Sequence, residues 1–220
     1  ALARWEHPKH GLLAPDRFIS AAEDMGLVDK IDRIIFEKVL EDRANWLAQG
    51  LNVPRIAVNV SARRLYNKSL LDEVRAFNVE PGTITFEVLE SVVIDRSNPT
   101  LIWNIDGLRE LGIQIDIDDF GTGRASIASV LAIQPSRIKV AREIIQAGHN
   151  DDMMIEMLRT IVAFGRSVNV ELVAEGVETT EQSNAVANLG FDVIQGYAIA
   201  RPLPAASVLD WLSDQVSEAS

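Results

Sequence analysis

Residues 113–123, Ile-Gln-Ile-Asp-Ile-Asp-Asp-Phe-Gly-Thr-Gly, carry the pattern that decides the fold. Isoleucine alternates with a polar residue up to Asp118, and this period of two is typical of a β-strand with one apolar face. Neighbouring strand residues point to opposite faces, so Asp118 and Asp119 can serve one site only where the strand gives way to a loop. The Phe-Gly-Thr-Gly that follows predicts such a change of conformation.

Short β-rich runs recur on both sides of this stretch and alternate with helical segments. The predicted strands span residues 55–60, 83–89, 114–118, 137–140, 170–174 and 192–195. The predicted helices, which have apolar residues at helical spacing, span residues 29–50, 99–111, 151–168 and 179–189. In the first helix, the residues expected to form the buried stripe are Ile31, Ile34, Ile35, Val39 and Leu40. Repeated β–α units imply a parallel sheet covered by helices.

This number of β–α units fits either a TIM-like (β/α)8 barrel or an open doubly wound sheet. The glycine fingerprint of dinucleotide-binding folds follows none of the predicted strands, which favours the α/β barrel. No linker or low-complexity segment interrupts the chain, so residues 1–220 are predicted to form a single domain. The chain starts at Ala1 and enters an apolar stretch directly, and we therefore expect it to be a piece of a longer protein, truncated at the N-terminus.

The composition restricts the classes of function. A formal net charge of −11 argues against a partner such as duplex nucleic acid, which requires a basic surface, but permits a phosphorylated small ligand bridged by cations. The absence of cysteine excludes disulfides, thiolate catalysis and thiolate zinc sites. No apolar run reaches the roughly 18 residues that span a bilayer. We expect a cytoplasmic domain, whose full-length protein could be tethered to a membrane.

Polar side chains stand at the carboxyl end of every predicted strand. Parallel barrels gather these ends at one mouth, where barrel enzymes place their reacting groups. Carboxylate and amide oxygens suit Mg²⁺ or Mn²⁺, and a carboxylate shared by two ions is a usual arrangement for phosphate-ester hydrolysis. One such residue alone would be an ordinary turn or rim residue, but their recurrence indicates a site. These residues are Asn59, Glu87, Glu90, Asp118, Asp119, Lys139, Glu175, Glu178 and Gln195.

The histidines are poor candidates for metal ligands or catalytic bases. His7, in Trp5-Glu6-His7-Pro8, is the one that could lie near the first strand end, and His10 and His149 lie in polar loop contexts.

The same residues resemble the EAL domain, a family of TIM-barrel phosphodiesterases that open cyclic di-GMP to linear 5'-pGpG. The resemblance extends from residue 1 to about residue 209. The segments that carry it are ALARWEHPKHGLLAP at 1–15, NVSARRL at 59–65, EVLES at 87–91, DDFGTG at 118–123, IKV at 138–140, VAEGVET at 173–179 and QGYAIARPLP at 195–204.

The resemblance implies a role for each matching residue. Asn59, Glu87 and Asp118 look like ligands of one Mg²⁺ or Mn²⁺ ion. Asp118, Asp119 and Glu175 look like the group that binds a second ion, and Glu175 also resembles a general base. Lys139 resembles the residue that holds the nucleophilic water.

Further matches concern the surroundings of that centre. Glu178 and Gln195 resemble supporting groups of the catalytic site, and Glu90 resembles a residue that orders the Asp118–Asp119 loop. Arg4 resembles a contact to substrate phosphate, and Leu2 and Asp119 belong to the implied substrate-binding set. The family often forms homodimers near this loop and often lies behind a sensor or diguanylate cyclase domain.

The chain departs from the family pattern in four places. The name-giving Glu would stand directly before Ala1, and the family's N-terminal strand with its Gln-x-Pro element also lies outside the sequence, so the barrel is expected to lack one strand. Ala141 stands where the family has Asp, and Arg124 stands where it has an aromatic residue. Asp116, one layer below Asp118, is expected to be paired, hydrated or protonated, and could compensate for the charge lost at position 141.

These observations predict a metal-dependent hydrolase acting on cyclic di-GMP. One alternative is a degenerate EAL domain that acts as a non-catalytic cyclic di-GMP receptor, which Ala141 and Arg124 would favour. Another is an unrelated barrel, such as an aldolase using Lys139 as a Schiff base. So many carboxylates would raise the pKa of Lys139, which is unsuitable for that chemistry.

Overall fold

A six-stranded parallel sheet forms the centre of the molecule. The computed structural model describes residues 1–93, 98–123, 126–148 and 151–218. The sheet strands lie side by side in chain order: β3 (Ile56–Asn59), β4 (Ile84–Leu89), β5 (Gln114–Phe120), β6 (Arg137–Val140), β7 (Glu171–Ala174) and β8 (Val193–Ile194). An antiparallel hairpin of β1 (Trp5–His7) and β2 (Gly11–Leu13) precedes them.

Helices fill the connections, as parallel pairing requires. They are α1 (Ile19–Asp24), α2 (Val28–Ala48), α3 (Ala62–Leu65), α4 (Leu70–Ala76), α5 (Glu90–Val93), α6 (Pro99–Glu110), α7 (Ile127–Ala132), α8 (Arg142–Ala147), α9 (Asp152–Val168), α10 (Thr180–Leu189) and α11 (Ala205–Glu218). Every predicted strand and helix is present, with bounds within two residues of those expected. The hairpin and the helices α1, α3, α4, α5, α7, α8 and α11 were not predicted.

The sheet is buried on both faces. In β4, the first five residues are buried and only Leu89 is exposed. Strand side chains such as Phe86, Ile115 and Ile138 pack in one core with helix residues such as Phe36. Parallel sheets that are covered on both sides need apolar side chains in both directions, which explains the β-branched runs in the sequence.

The buried face of α2 differs from the predicted stripe. Ile34 was expected to be buried but is 52% exposed, whereas Asp32 and Phe36 are buried. The ring of Phe36 packs edge-on against Phe86 at 5.4 Å between centroids, which turns this side of the helix toward the sheet. The buried carboxylate of Asp32 accepts a hydrogen bond from the backbone amide of Ser61 at 2.8 Å.

The sheet opens between its first and last strands. Among the described residues, β3 and β8 each pair on one side only. The chain start lies at this opening, where the Ala1 amine donates to the Ala57 carbonyl of β3.

Two residues discussed above, Arg124 and His149, lie outside the described residues. Elsewhere His7 has a structural role, because its Nδ1 accepts backbone hydrogen bonds from Lys9 and His10. In the described part of the chain, no helix combines the length and apolarity needed to cross a membrane.

Candidate active site

Three carboxylates surround the ammonium group of one lysine. Lys139 Nζ lies 2.6 Å from Glu175 Oε1, 2.7 Å from Glu87 Oε1 and 2.9 Å from Asp118 Oδ1. These residues come from β4, β5, β6 and the first position after β7, so the parallel topology brings them to the same edge of the sheet. The Lys139 side chain is only 5% exposed, and the ion pairs are therefore largely shielded from water.

The electrostatics of this group follow from burial and close charges. Burial lowers the pKa of Lys139, but Glu87, Asp118 and Glu175 raise it by more, so the net shift is upward and the ammonium stays charged. Burial raises the pKa of Glu175 to about 7, against the lowering effect of Lys139 and with a further rise from Asp118. With a pKa of about 7, Glu175 can take up and release a proton near neutral pH.

A bulge in β5 brings the two adjacent aspartates to one site. The pairing of β5 with β6 shifts register between Ile117 and Phe120. Asp119 has a left-handed backbone with a φ of 56°, which turns the chain between the two carboxylates. The sequence predicted this break in the following Gly-rich loop, whereas it occurs one step earlier, inside the strand.

The carboxylates of Asp118, Asp119 and Glu175 can hold a cation. One oxygen from each lies within 4.8 Å of the others. Burial, and then the neighbouring Asp118, raise the pKa of Asp119, against the lowering effect of Lys139. The oxygen-only donor set fits a hard divalent ion such as Mg²⁺ or Mn²⁺. Asn59 lies on the adjacent strand as the Cα partner of Glu87, and its side chain is exposed.

Glu90 holds the glycine loop that follows the aspartates. Its Oε2 accepts hydrogen bonds from the backbone amides of Gly121 at 2.8 Å and Gly123 at 3.1 Å. A Cβ at position 123 would lie 2.8 Å from Glu90 Cδ, so glycine is needed for this approach. The geometry places Glu90 as a contact to the loop and not as a member of the carboxylate cluster.

A cavity of about 780 Å³ lies beside the cluster. Its lining contains several predicted site residues, namely Leu2, Arg4, Glu175, Glu178 and Gln195. The guanidinium of Arg4 donates to the carbonyl of Ala3 at 2.7 Å. The carboxylate of Glu178 pairs with Arg142 at 2.6 Å, so Glu178 stands beside the cluster while its charge is directed to this arginine.

Ala141 and Asp116, the residue expected to compensate for it, have different surroundings. Ala141 is fully buried and caps the start of α8, where its methyl group offers no hydrogen-bond acceptor. Burial raises the pKa of Asp116 to about 6, against the lowering effects of Arg55 and Arg137. Asp116 Oδ1 has no hydrogen-bond partner among the described residues, and the local environment favours the protonated carboxyl group below about pH 6.

Three cavity residues were missed by sequence reasoning. Arg142 begins α8 directly after the lysine strand, and Tyr197 and Arg201 stack with 4.6 Å between the guanidinium carbon and the ring centroid. Arg142 could have been found by extending the search for strand-end residues past Lys139. The other two lie in the QGYAIARPLP segment, where only Gln195 was given a role.

The sequence profile of the EAL domain family matches residues 1–202. The chain belongs to the EAL domain family. The sequence of this EAL domain is 36% identical over 213 residues to that of the bifunctional diguanylate cyclase/cyclic di-GMP phosphodiesterase MucR of Pseudomonas aeruginosa. The alignment covers 95% of this chain and 31% of MucR. The domain is 33% identical over 216 residues to the cyclic di-GMP phosphodiesterase RocR of the same organism, covering 96% of this chain and 55% of RocR.

Solved structures confirm the predicted fold. The PaMucR phosphodiesterase in complex with c-di-GMP superposes with a TM-score of 0.88 at 35% identity, covering 95% of this chain and 86% of that one. The TIM-like α/β barrel class and the family assignment made from the sequence are therefore correct. The EAL domain spans less than two thirds of the length of MucR and RocR, so what those whole proteins do is not carried over directly.

Proposed function

We propose that this EAL domain hydrolyses cyclic di-GMP to linear 5'-pGpG with the help of two divalent cations, Mg²⁺ or Mn²⁺. The observation that carries the proposal is the convergence of Glu87, Asp118 and Glu175 on Lys139, with Asp119 within reach. Relatives with more than 30% identity over nearly the whole chain bear the name cyclic di-GMP phosphodiesterase.

Each residue of the centre has a distinct task in this proposal. Asn59, Glu87 and Asp118 would hold one cation, and Asp118, Asp119 and Glu175 the other. When bound, such ions activate water and offset charge on the phosphate. Glu175 would accept the proton of the attacking water. In the cation-free protein, burial raises the pKa of Glu175 to about 7. Lys139 would orient that water and keep the carboxylates close together.

The cavity supplies the charge that a dinucleotide needs. The domain carries a net charge of −11, yet Arg4 and Arg201 both line this cavity. Arginine side chains are well suited to phosphate oxygens because they can form paired hydrogen bonds. In the proposal, Arg4 contacts a substrate phosphate, Leu2 and Asp119 border the bound substrate, and Glu178 and Gln195 support the cavity wall.

The alternative of a non-catalytic receptor finds less support. A receptor that does not cut its ligand has no need of a complete acidic centre, and here Glu87, Asp118, Asp119 and Glu175 are all retained. Ala141 and Arg124 would favour the receptor; Ala141 lies buried at a helix start, and Arg124 lies outside the described residues.

A product assay tests the proposal. The protein is incubated with cyclic di-GMP and either Mg²⁺ or Mn²⁺, and linear dinucleotide is measured by chromatography. Because the family resemblance places a metal-binding Glu directly before Ala1, the protein should include the segment that precedes Ala1 in its parent. We expect product that disappears in Glu175→Ala and persists in Glu156→Ala, an exposed acidic control on α9.

The contrary outcomes of this assay are distinct. Tight binding of cyclic di-GMP without product over hours would favour the receptor, and no binding would contradict both functions.

The assembly of the parent protein is also proposed. Residues 1–220 would act as one domain of a longer cytoplasmic protein with an upstream sensor or diguanylate cyclase domain, as the name of MucR suggests. A homodimer is proposed near the Gly121–Gly123 loop, where Leu89 and Ile127 are exposed on either side. Sedimentation of the domain at several concentrations tests it, and a monomer throughout would contradict it.

A further inference from the structure

Arg142 connects two loops that carry the acidic centre. It is the first residue of α8, three positions after Lys139. The backbone amide of the preceding Ala141 donates to the carbonyl of Phe120 at 3.2 Å, which ties the start of α8 to the end of β5, next to Asp119. The Arg142 side chain then reaches to the loop of residues 175–178 after β7, where Nη2 lies 2.6 Å from Glu178 Oε1.

The stem of Arg142 also packs on the residue next to Glu175. Gly176 has a left-handed backbone with a φ of 65°, and a Cβ added there would overlap Arg142 Cγ and lie 2.7 Å from its Cδ. Glycine thus permits the arginine stem to lie flat against the loop backbone. The arginine makes two separable contacts with one loop: its stem covers Gly176, and its guanidinium pairs with Glu178.

Other side chains also contact the loop: Lys139 pairs with the Glu175 carboxylate at 2.6 Å, and Gln182 accepts the backbone amide of Glu178 at 2.8 Å. The Gly176 face is left to Arg142. The amide of Glu175 donates to Val140 at 3.2 Å, and that of Val177 donates to Gln195 at 3.1 Å. With its amide oxygen turned to the guanidinium, Gln146 accepts from Arg142 Nε at 2.7 Å, which fixes the direction of the arginine from its own helix.

We infer that Arg142 is a positioning residue that holds the 175–178 loop against the start of α8, so that the Glu175 carboxylate stays beside Asp118 and Asp119. Its catalytic consequence rests on the proposed function. The positioning itself does not, because it concerns the conformation of the protein without ligand or metal. The competing role for an arginine in this cavity is direct contact with a substrate phosphate.

Hydrogen exchange of the cation-free, ligand-free protein tests the positioning directly. In Arg142→Ala, we expect the amides of Glu175, Val177 and Glu178 to exchange on the order of 10-fold faster, while those of Leu172 and Val173 in β7 are unchanged. Arg142→Met keeps the stem over Gly176 and should give an intermediate effect. Arg142→Lys keeps both the stem and the charge and should recover most of the protection.

Steady-state kinetics provide the second measurement. A misplaced Glu175 carboxylate should lower kcat for cyclic di-GMP by on the order of 10-fold or more, with little change in KM. A direct phosphate contact should instead raise KM and leave amide exchange in the free protein unaffected, and that pattern would overturn the inference. Faster exchange throughout β6 and β7 would also overturn it, since it would indicate a general loss of stability.

Arg75→Met is the matched control. Arg75 is 49% exposed and pairs with Asp72 at 2.9 Å on α4, whereas Arg142 is 54% exposed. This variant should change neither exchange at residues 175–178 nor kcat. If the unmodified protein forms no product, the proposed function fails, but the exchange measurements still decide whether Arg142 positions the loop.

Discussion

Lys139 is the residue on which the acidic centre depends in the absence of metal. Three carboxylates lie within 2.9 Å of its ammonium group, and all four side chains are largely withdrawn from water. The sequence could predict that these residues meet, because strand order alone brings strand ends together. Lys139 was expected among these carboxylates as well, but the sequence could not predict that its ammonium group would contact three of them at once, since that depends on side-chain depth within the barrel.

Replacing this lysine should expose the repulsion between the carboxylates. In Lys139→Met, we expect the free energy of unfolding in the presence of a chelator to fall by about 3–5 kcal/mol, because a buried charge partner is lost. Added Mn²⁺ should stabilise the variant more than it stabilises the unmodified protein, and turnover should be lost. Thermal unfolding with and without Mn²⁺ measures both effects, and equal stabilisation of the two proteins by Mn²⁺ would contradict this account.

The raised pKa of Asp116 predicts that the free energy of unfolding depends on pH. Its ordinary pKa of 3.8 is raised to about 6 in the folded protein. Between these values the native state holds a proton that the unfolded chain has released, so the contribution of Asp116 to stability is present at low pH and is lost as the pH rises through about 6. Asp116→Asn should lack this loss, and its stability relative to the unmodified protein should increase across this range.

Urea denaturation of both proteins at several pH values, with chelator present, measures the difference. A constant difference from pH 4 to pH 7 would show that Asp116 does not titrate in this range. The same variant tests whether Asp116 compensates for Ala141, because unchanged metal affinity and turnover would count against compensation.

At the scale of elements, the turn after β5 depends on close backbone packing. Glu90 accepts two amides from the Gly121–Gly123 loop, and a Cβ at position 123 would lie 2.8 Å from its carboxyl carbon. The DDFGTG segment was recognisable in the sequence, but the bulge at Asp119 was not, because a register shift depends on the neighbouring strand. The same limit explains Ile34, whose exposure follows from the packing of Phe36 against Phe86.

Gly123→Ala should therefore reduce turnover without unfolding the domain. The added methyl group pushes Glu90 away and breaks its hydrogen bonds to the loop that follows Asp118 and Asp119. We expect kcat to fall on the order of 10-fold. Gly82→Ala is a suitable comparison for overall stability, since no atom lies within 4 Å of its added Cβ, although its positive φ adds some strain. Normal turnover in Gly123→Ala would indicate that the loop tolerates displacement.

The start of α10 is a second element with a measurable contribution. Thr179 and Gln182 form a reciprocal capping box, and Gln182 also accepts the backbone amide of Glu178 at 2.8 Å. Thr179→Ala should lower the free energy of unfolding by about 1 kcal/mol. Ser126→Ala, at the cap of α7, is a comparison with a single cap bond, and urea denaturation measures both. If the capping box matters for the site, only the first variant should also reduce turnover.

At the scale of the whole molecule, the fold was predictable because its signal is repeated. Six strands that alternate with helical segments indicate a parallel α/β barrel, even when the boundary of a single element is displaced by two residues. The short helices α3, α5 and α8 could not be predicted, since each has too few residues for a periodic pattern. They begin directly after strand ends, and Arg142 on α8 was missed for this reason.

Because Lys139 lies among the carboxylates, folding of the domain need not depend on the supply of metal ions. A protein that carries its own counter-ion can complete folding before any inorganic ion arrives, unlike small domains that stay unfolded until loaded. When the metal ion is scarce, the number of folded molecules would then stay unchanged, and only the fraction of catalytically active molecules would fall.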